Sequence, residues 1–144
     1  IMNALTMPED MNPLSFRLIA GEDSLFWEGL LTSEDGFVSS ALWLRPGHCI
    51  SFEDGMVANS CFVYGSGIYC AFNPASLGGV IYRAGEEFVM PGGYTVMGTD
   101  CGAVVEGIFH IGLSSQDGGN PKIWKDGRTE TLDICGYIAS VSVH

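Results

Sequence analysis

Two side chains able to transfer protons lie close together in the segment VVEGIFHIGL, namely Glu106 and His110. If this segment is one β-strand, period-2 alternation places both on the same face, whereas Phe109 lies on the opposite face, which we interpret as packed interior. Two interpretations of this pair stay open. Glu106 and His110 either face solvent, or they line the mouth of a pocket and act as an acid/base pair.

Several other kinds of chemistry have no signature in the sequence. There is no nucleophile elbow, no Gly-rich phosphate loop and no nucleotide-binding fingerprint, and a turn explains the glycine run PGGY. The 17 acidic residues outnumber the 6 Lys and Arg, which gives a formal net charge of −11 with no basic cluster. We therefore expect neither nucleic acid nor an anionic membrane surface as a partner, because electrostatic repulsion opposes both.

Composition favours one globular domain built from strands. The chain has 144 residues, of which 47% are hydrophobic, and 20 glycines are spread throughout. This length is enough for one domain with a sizeable core, and the glycine content suits short strands and turns. We predict one domain over residues 1–144, with an N-terminal arm (1–15), a barrel core (39–113) and a C-terminal hairpin and closing strand (114–144).

Short segments between turn residues predict about ten to twelve strands. The predicted strands cover residues 24–31, 37–45, 49–53, 60–64, 68–72, 79–83, 87–90, 94–97, 103–113, 122–124, 129–132 and 137–143. Asp126-Gly127 predicts a two-residue hairpin turn, and only residues 8–20 allow a single helical turn. We see no internal repeat. So many short strands in one small domain predict a closed or double-sheet antiparallel structure, a barrel or a jelly roll, with little helix.

The cysteine content indicates the cellular compartment. Five cysteines, an odd number without CxxC spacing, are typical of reduced thiols in a cytoplasmic protein. The N-terminal residues IMNALTMPEDMNPL lack the basic and apolar regions of a secretory signal. No apolar run approaches the roughly 20 residues that a membrane-spanning helix requires. We therefore expect a cytoplasmic protein that does not bind membranes.

Two groups of glycines and prolines follow the spacing of the cupin motifs, and between about residues 39 and 113 the chain resembles the cupin family of jelly-roll barrels. The second cupin motif corresponds to Gly85, Pro91, Gly93, Val96 and Asp100. The first corresponds to Gly47, Glu53, Gly55, Ser60 and Gly67. The flanking segments LTSEDGFVSSALWLRPGH and VVEGIFHIGLSSQDG are similar to those of acetylacetone-dioxygenase and anti-sigma-factor cupins.

All four metal-ligand positions of the motifs differ from the family. They carry Glu53, Gly55, Ser60 and Val96. Three or four nitrogen or oxygen donors are needed to hold iron, manganese or zinc, and Glu53 alone does not supply them. The resemblance therefore implies a cupin cavity without a metal and without any other cofactor.

The same resemblance implies a set of pocket residues. Glu53 occupies a ligand position, so it would point into an apolar barrel as the main acid/base or anchoring group, unless it lies at a strand end and reaches solvent. Alternation from Ser60 brings Phe62 and Tyr64 to the inward face, where Tyr64 either donates a hydrogen bond to substrate or is packed in the core. The further lining candidates are Trp43, Arg45, Tyr69, Met90, Tyr94, Val96, Met97 and Phe109.

We therefore expect a metal-independent cupin that binds a small, largely apolar organic molecule. The first hypothesis is an enzyme of isomerisation, cyclisation or elimination, with Glu53, Tyr64, Glu106 and His110 as catalytic residues. The alternative is a non-catalytic small-molecule-binding or sensing module. In either case a homodimer is expected, because jelly rolls pair readily through strand edges or sheet faces.

Overall fold

The computed structural model describes residues 7–45, 47–52, 55–73 and 79–142. These residues form thirteen strands, β1 to β13 in chain order, and no helix. The strands are Met11–Ala20, Leu25–Ser33, Val38–Arg45, His48–Ser51, Val57–Tyr64, Gly67–Asn73, Val80–Arg83, Glu86–Val89, Tyr94–Thr95, Gly102–Val105, Ile108–Ser115, Lys122–Lys125 and Arg128–Thr131. The prediction of an all-β chain with little helix is thus confirmed, and no described helix is long and apolar enough to cross a membrane.

The strands form three antiparallel sheets, each of which contains four consecutive strands. The first sheet has the order β1-β2-β3-β4, the second β5-β6-β7-β8 and the third β10-β11-β12-β13, with the short strand β9 also paired to β11. None of these described sheets closes into a barrel, so the predicted jelly roll is not confirmed. A jelly roll pairs strands that are distant in sequence, whereas each of these sheets is an up-and-down meander of sequence neighbours.

A short sequence pattern recurs at the third hairpin of every sheet. The segments LWLRPG, IYRAG and IWKDG each place an aromatic residue, then a basic residue, then the turn glycine between the third and fourth strands. The aromatic residues, Trp43, Tyr82 and Trp124, are about 40 residues apart, which is a typical length for a four-stranded repeat. The expectation that the chain has no internal repeat is therefore wrong. The inserted Leu44 and the exchange of tryptophan for tyrosine obscure the repeat in the sequence.

The three sheets pack face against face in chain order. We define the front face of a sheet as the side that carries the hairpin aromatic residue, and the back face as the opposite side. The back face of the first sheet, with Phe26 and Leu42, packs on Phe72 and Tyr82 of the second sheet's front face. A second core forms in the same way between the back face of the second sheet and the front face of the third. Its fully buried members include Ala71, Ile81, Phe109, Ile111 and Trp124.

Each sheet is also tied to the chain segment that follows its fourth strand. In all three cases a polar side chain on an inner strand of the sheet accepts a hydrogen bond from a backbone N–H of that segment. The bonds join Ala58 N to Ser40 Oγ (2.8 Å), Val96 N to Asn73 Oδ1 (2.9 Å) and Ile138 N to Ser114 Oγ (2.8 Å). These hydrogen bonds satisfy backbone N–H groups and hold each following segment against its sheet.

One predicted strand differs from the structure in the region that bears on function. Residues 103–113, predicted as one strand, form the hairpin of β10 and β11, with Glu106 (φ 51°) and Gly107 (φ 79°) in its turn. Positive φ at both positions defines a tight two-residue turn, for which Asn-Gly or Asp-Gly is the usual signal. The predicted turn at Asp126-Gly127 is confirmed, with φ of 42° and 94°.

Both chain ends also differ from the prediction. Residues 11–20, within the segment that allowed a helical turn, form strand β1 and pair with β2. Residues 137–142 do not form the predicted closing strand; a single parallel bridge joins Ser140 to Asp100. This C-terminal segment packs across the back face of the third sheet. A Cβ on Gly112 would lie 2.5 Å from Ile138 Cγ2, so the approach depends on glycine.

Candidate functional site

The apolar residues predicted to line a cavity are packed in the sheet cores. Met90, Val96 and Phe109 belong to the core between the second and third sheets, and each is 1% exposed. Trp43 is fully buried on the front face of the first sheet, where its ring lies 5.6 Å from that of Phe16. Each of these side chains packs against other core residues of its own cluster.

Val96, which the predicted cupin resemblance compares with a metal-ligand histidine, has a structural role in this chain. Its side chain is buried in the core, and its backbone is bound from two sides. Asn73 accepts a hydrogen bond from Val96 N and donates one to Val96 O, which also accepts one from Asn59. Ser60 is another of the four substituted positions, and its hydroxyl donates to Gly98 O (2.7 Å) and accepts from Cys101 N (3.2 Å). Val96 and Ser60 thus each form hydrogen bonds that join segments distant in sequence.

The aromatic candidates form a connected set of rings between the second and third sheets. Phe62 stacks on Tyr69 at 5.5 Å, and Tyr69 meets the edge of Phe109 at 5.0 Å. Tyr64 extends this set outward, 6.3 Å from Tyr69, and its side chain is 51% exposed. Tyr94 lies apart from the set and donates a hydrogen bond to Asn120 O.

Glu106 and His110 do not form the predicted acid/base pair in the described structure. Glu106 lies exposed in the β10–β11 turn, while His110 lies half-buried on the back face of the third sheet. His110 Nδ1 lies 2.9 Å from Ile108 O, which fixes the ring against its own strand. Strand alternation does not extend from Glu106 to His110, because Glu106 and Gly107 form a turn.

The remaining candidates do not complete an acid/base site. Glu53 lies outside the described residues. Arg45 is exposed at the end of β3, and Met97 is exposed after β9. Among the described residues, no three His, Cys, Asp or Glu side chains are placed so that they could hold a metal ion.

A concave surface lies at the first hairpins of the first and second sheets. This groove, of about 570 Å³, is lined by the β1–β2 turn (residues 21–23) and the β5–β6 hairpin (residues 63–66). The first strands of successive sheets are in contact, β1 with β5 and β5 with β10, which brings their hairpin turns to one end of the molecule. The groove thus follows from the repeat itself.

Close backbone packing holds the two groove walls together. A Cβ on Gly21 would lie 2.5 Å from Val63 Cγ1, so only glycine allows the β1–β2 turn to approach β5 this closely. Gly21 N also donates to Ser24 O at 2.8 Å, which closes the turn. Glu22 and Asp23 belong to this turn and line the groove together with Tyr64 and Ser66.

The groove combines negative charge with an aromatic ring. Glu22, Asp23 and Tyr64 all line it, within a chain whose formal net charge is −11. Two carboxylates beside an exposed ring attract an organic cation, because the ring face and the carboxylates both favour positive charge. Of the groove residues, sequence reasoning selected Tyr64 alone. The turn signal GEDS was present in the sequence, but the contact between the two hairpins follows only from the stacking of the sheets.

Elsewhere, charge links the hairpin turns of neighbouring sheets. Arg83 Nη1 lies 2.8 Å from Asp126 Oδ1, which joins the β7–β8 turn to the β12–β13 turn. Hydrogen bonding to Asp126 raises the pKa of Arg83 above its usual value. This ion pair reinforces the interface between the second and third sheets.

Comparisons with known proteins provide no relative for this chain. No protein-family model, no curated protein and no solved structure matches it.

Proposed function

We propose that this chain is a non-catalytic binding module that takes a small organic cation in the groove between the first hairpins of the first and second sheets. The observation that carries the proposal is that Glu22, Asp23 and Tyr64, which belong to two different hairpins, line one groove. A ligand of this class needs a concave surface, an apolar contact and a few polar groups. All three are found here.

The position of each group gives it a role. The Tyr64 ring contacts the Tyr69 ring at 6.3 Å and nearly at right angles, and Tyr64 is 51% exposed, so part of its surface is accessible to a ligand. Glu22 and Asp23 supply the negative charge, and they are carried by a turn that Gly21 keeps against Val63. A primary amine or a quaternary ammonium group fits this arrangement, whereas an anion would be repelled.

Acid/base catalysis has no comparable support from the described residues. Tyr64 lies at the groove, but Glu106 lies in another turn and His110 lies on the back face of the third sheet. Catalysis through Glu53, and the cupin resemblance that implies it, stay predictions, because Glu53 lies outside the described residues.

The test is a titration with tetramethylammonium chloride, followed by protein NMR and calorimetry, with uncharged tert-butyl alcohol as the matched ligand. We expect the cation to shift signals of residues 21–23 and 63–66 while the alcohol leaves them unchanged. Tyr64→Leu should weaken binding about tenfold, in line with a cation–π contribution of about 0.5–2 kcal/mol. The double variant Glu22→Gln, Asp23→Asn should weaken it further and remove most of its salt dependence.

Glu106→Gln is the matched control, because it removes one exposed charge from the equivalent turn of the third sheet, outside the groove. It should leave binding of tetramethylammonium unchanged. Equal loss of affinity in Glu106→Gln and in the groove variants would show a general charge effect. That result, or the absence of any cation-specific shift at the groove, would overturn the proposal.

A further inference from the structure

Two thiols lie directly opposite each other in the β5–β6 hairpin of the second sheet. Cys61 in β5 and Cys70 in β6 are register partners, so both side chains project from the same face of the sheet. That face packs on the first sheet, where Cys70 belongs to the core between the two sheets and Cys61 packs against this core. Cys70 is fully buried, Cys61 is partly exposed, and both are free thiols.

The hairpin turn determines how close the two residues come. A two-residue turn joins β5 and β6; Gly65 in this turn has a φ of 59°, and Tyr64 and Gly67 form the closing pair. In such a hairpin the closing pair is hydrogen-bonded and the pairs then alternate. Cys61 and Cys70, three pairs further on, therefore form a non-hydrogen-bonded pair. Opposite Cα atoms in these pairs are about 4.5 Å apart, inside the range of roughly 4.4–6.8 Å that disulfides span. A disulfide here requires no change of strand register.

The two thiols also contact each other. Burial and, to a smaller extent, a hydrogen bond with the Cys61 thiol raise the pKa of Cys70 well above its usual value. Cys70 is therefore a poor nucleophile toward reagents in solution. Attack on an oxidised Cys61 sulfur is different, because that sulfur lies within contact distance and the step is intramolecular.

The other three cysteines have different surroundings. Cys49 packs on the front face of the first sheet, and Cys135 is exposed. The Cys101 thiol is hydrogen-bonded to two backbone carbonyls, Ile138 O (3.6 Å) and Ala139 O (3.4 Å). Among the described strands, register therefore places one pair of thiols opposite each other, in the β5–β6 hairpin.

We propose that Cys61 and Cys70 are a redox site, which hydrogen peroxide converts reversibly to a disulfide. Cys61, the more exposed of the two, reacts first: its thiolate attacks one peroxide oxygen, the O–O bond breaks, and a sulfenic acid and water form. The Cys70 sulfur then loses its proton and attacks the Cys61 sulfur, and the hydroxyl group leaves as a second water. In total, two thiols are oxidised to one disulfide, one peroxide is reduced, and both thiol protons end in water.

The cross-link would act on a hairpin that lines the groove. It joins β5 to β6 behind the turn of residues 65–66, so the two strands cannot separate there. The redox site itself does not depend on what the groove binds.

The test is peptide mapping of the folded, reduced protein after treatment with hydrogen peroxide at neutral pH. Free thiols are blocked with N-ethylmaleimide, and the protein is digested with pepsin at acid pH, where disulfides do not exchange, before mass spectrometry. We expect one dominant linked pair of peptides, which contains Cys61 and Cys70 and is lighter than the two free peptides by about 2 Da, the two hydrogens lost. Dithiothreitol should remove the link. The same treatment in concentrated urea should give mixed pairings that include Cys49, Cys101 and Cys135.

Two alanine variants separate the chemical steps. Cys70→Ala removes the second thiol, so the peroxide-treated variant should carry a sulfenic acid at Cys61 that dimedone labels. Cys61→Ala should leave Cys70 as a free thiol that N-ethylmaleimide labels only after unfolding. The matched control is Cys49→Ala, which removes another partly buried thiol and should keep the link. Circular dichroism checks that each variant is folded, and the mapping of the wild-type protein does not depend on them.

Four results would each overturn the proposal. The first is a folded protein in which peroxide oxidises Cys135 but does not link Cys61 to Cys70. The second is pairing in the folded protein as mixed as in urea, and the third is a link that dithiothreitol does not remove. The fourth is a folded Cys70→Ala variant in which dimedone does not label Cys61.

Discussion

The Ser40 hydroxyl forms two hydrogen bonds, one within the first sheet and one to the second. It is 1% exposed, donates to Glu28 Oε1 at 2.7 Å and accepts from Ala58 N at 2.8 Å. Glu28 is itself buried, and its other carboxylate oxygen lies 3.1 Å from Arg17 Nε. One hydroxyl thus serves a buried carboxylate and the backbone of the next sheet.

Ser40→Ala removes both bonds without changing the backbone. Loss of a hydrogen bond to a charged group costs about 1.5–3 kcal/mol, and a buried N–H left without a partner costs about 1–3 kcal/mol. The two losses share one atom, so they do not add in full. Because Ser40 N still donates to Met56 O, the junction itself should persist. We expect the free energy of unfolding to fall by about 2–4 kcal/mol.

Urea unfolding followed by tryptophan fluorescence measures this change. The matched control is Ser39→Ala, which removes the neighbouring buried hydroxyl from the opposite face of β3. We expect the control to cost less than about 1 kcal/mol. If Ser40→Ala and Ser39→Ala lower the free energy of unfolding equally, the two Ser40 hydrogen bonds do not stabilise the contact between the sheets, and the prediction is wrong.

Two further predictions concern thiols and close packing. Burial raises the pKa of Cys70 well above its usual value, whereas Cys135 is exposed. Iodoacetamide at mildly alkaline pH should therefore label Cys135 first and Cys70 only after unfolding. Equally fast labelling of the two thiols, measured by mass spectrometry, would contradict this. Gly112→Ala places a methyl group against Ile138 and should lower stability by about 1–3 kcal/mol and expose the C-terminal segment to protease. Gly92→Ala, where nothing lies within 4 Å, is its control, and equal effects of the two would refute the packing argument.

Strand content was predictable from the sequence because it depends on local signals. Short β-rich segments between glycines and polar residues marked most of the strands, and Asp126-Gly127 marked its hairpin correctly. The turn at Glu106-Gly107 was missed because glutamate is unusual at positive φ. Without this turn, the hairpin was predicted as one long strand, and Glu106 and His110 were placed on the same face of it.

The arrangement of the sheets was harder to predict, because turn glycines recur with similar spacing in folds that arrange their sheets differently. The cupin-like spacing rests largely on turn glycines, and the structure places Gly47 and Gly85 at equivalent turns of the first and second sheets. A repeated hairpin produces such spacing without a barrel. The candidate groove could not be found from sequence, since residues 21–23 and 63–66 meet only when two sheets stack.

The meander order of the three sheets has a consequence for how the chain folds. Each sheet pairs only sequence neighbours, apart from β9, so its hairpins can form before distant parts of the chain meet. Stability is then distributed as a sum over sheets and the interfaces between neighbours, as in other linear arrays. The second sheet, covered on both faces, should exchange its amide hydrogens most slowly, and β1, at the edge of the first sheet, should open first. Unfolding would then spread inward from the ends of the stack.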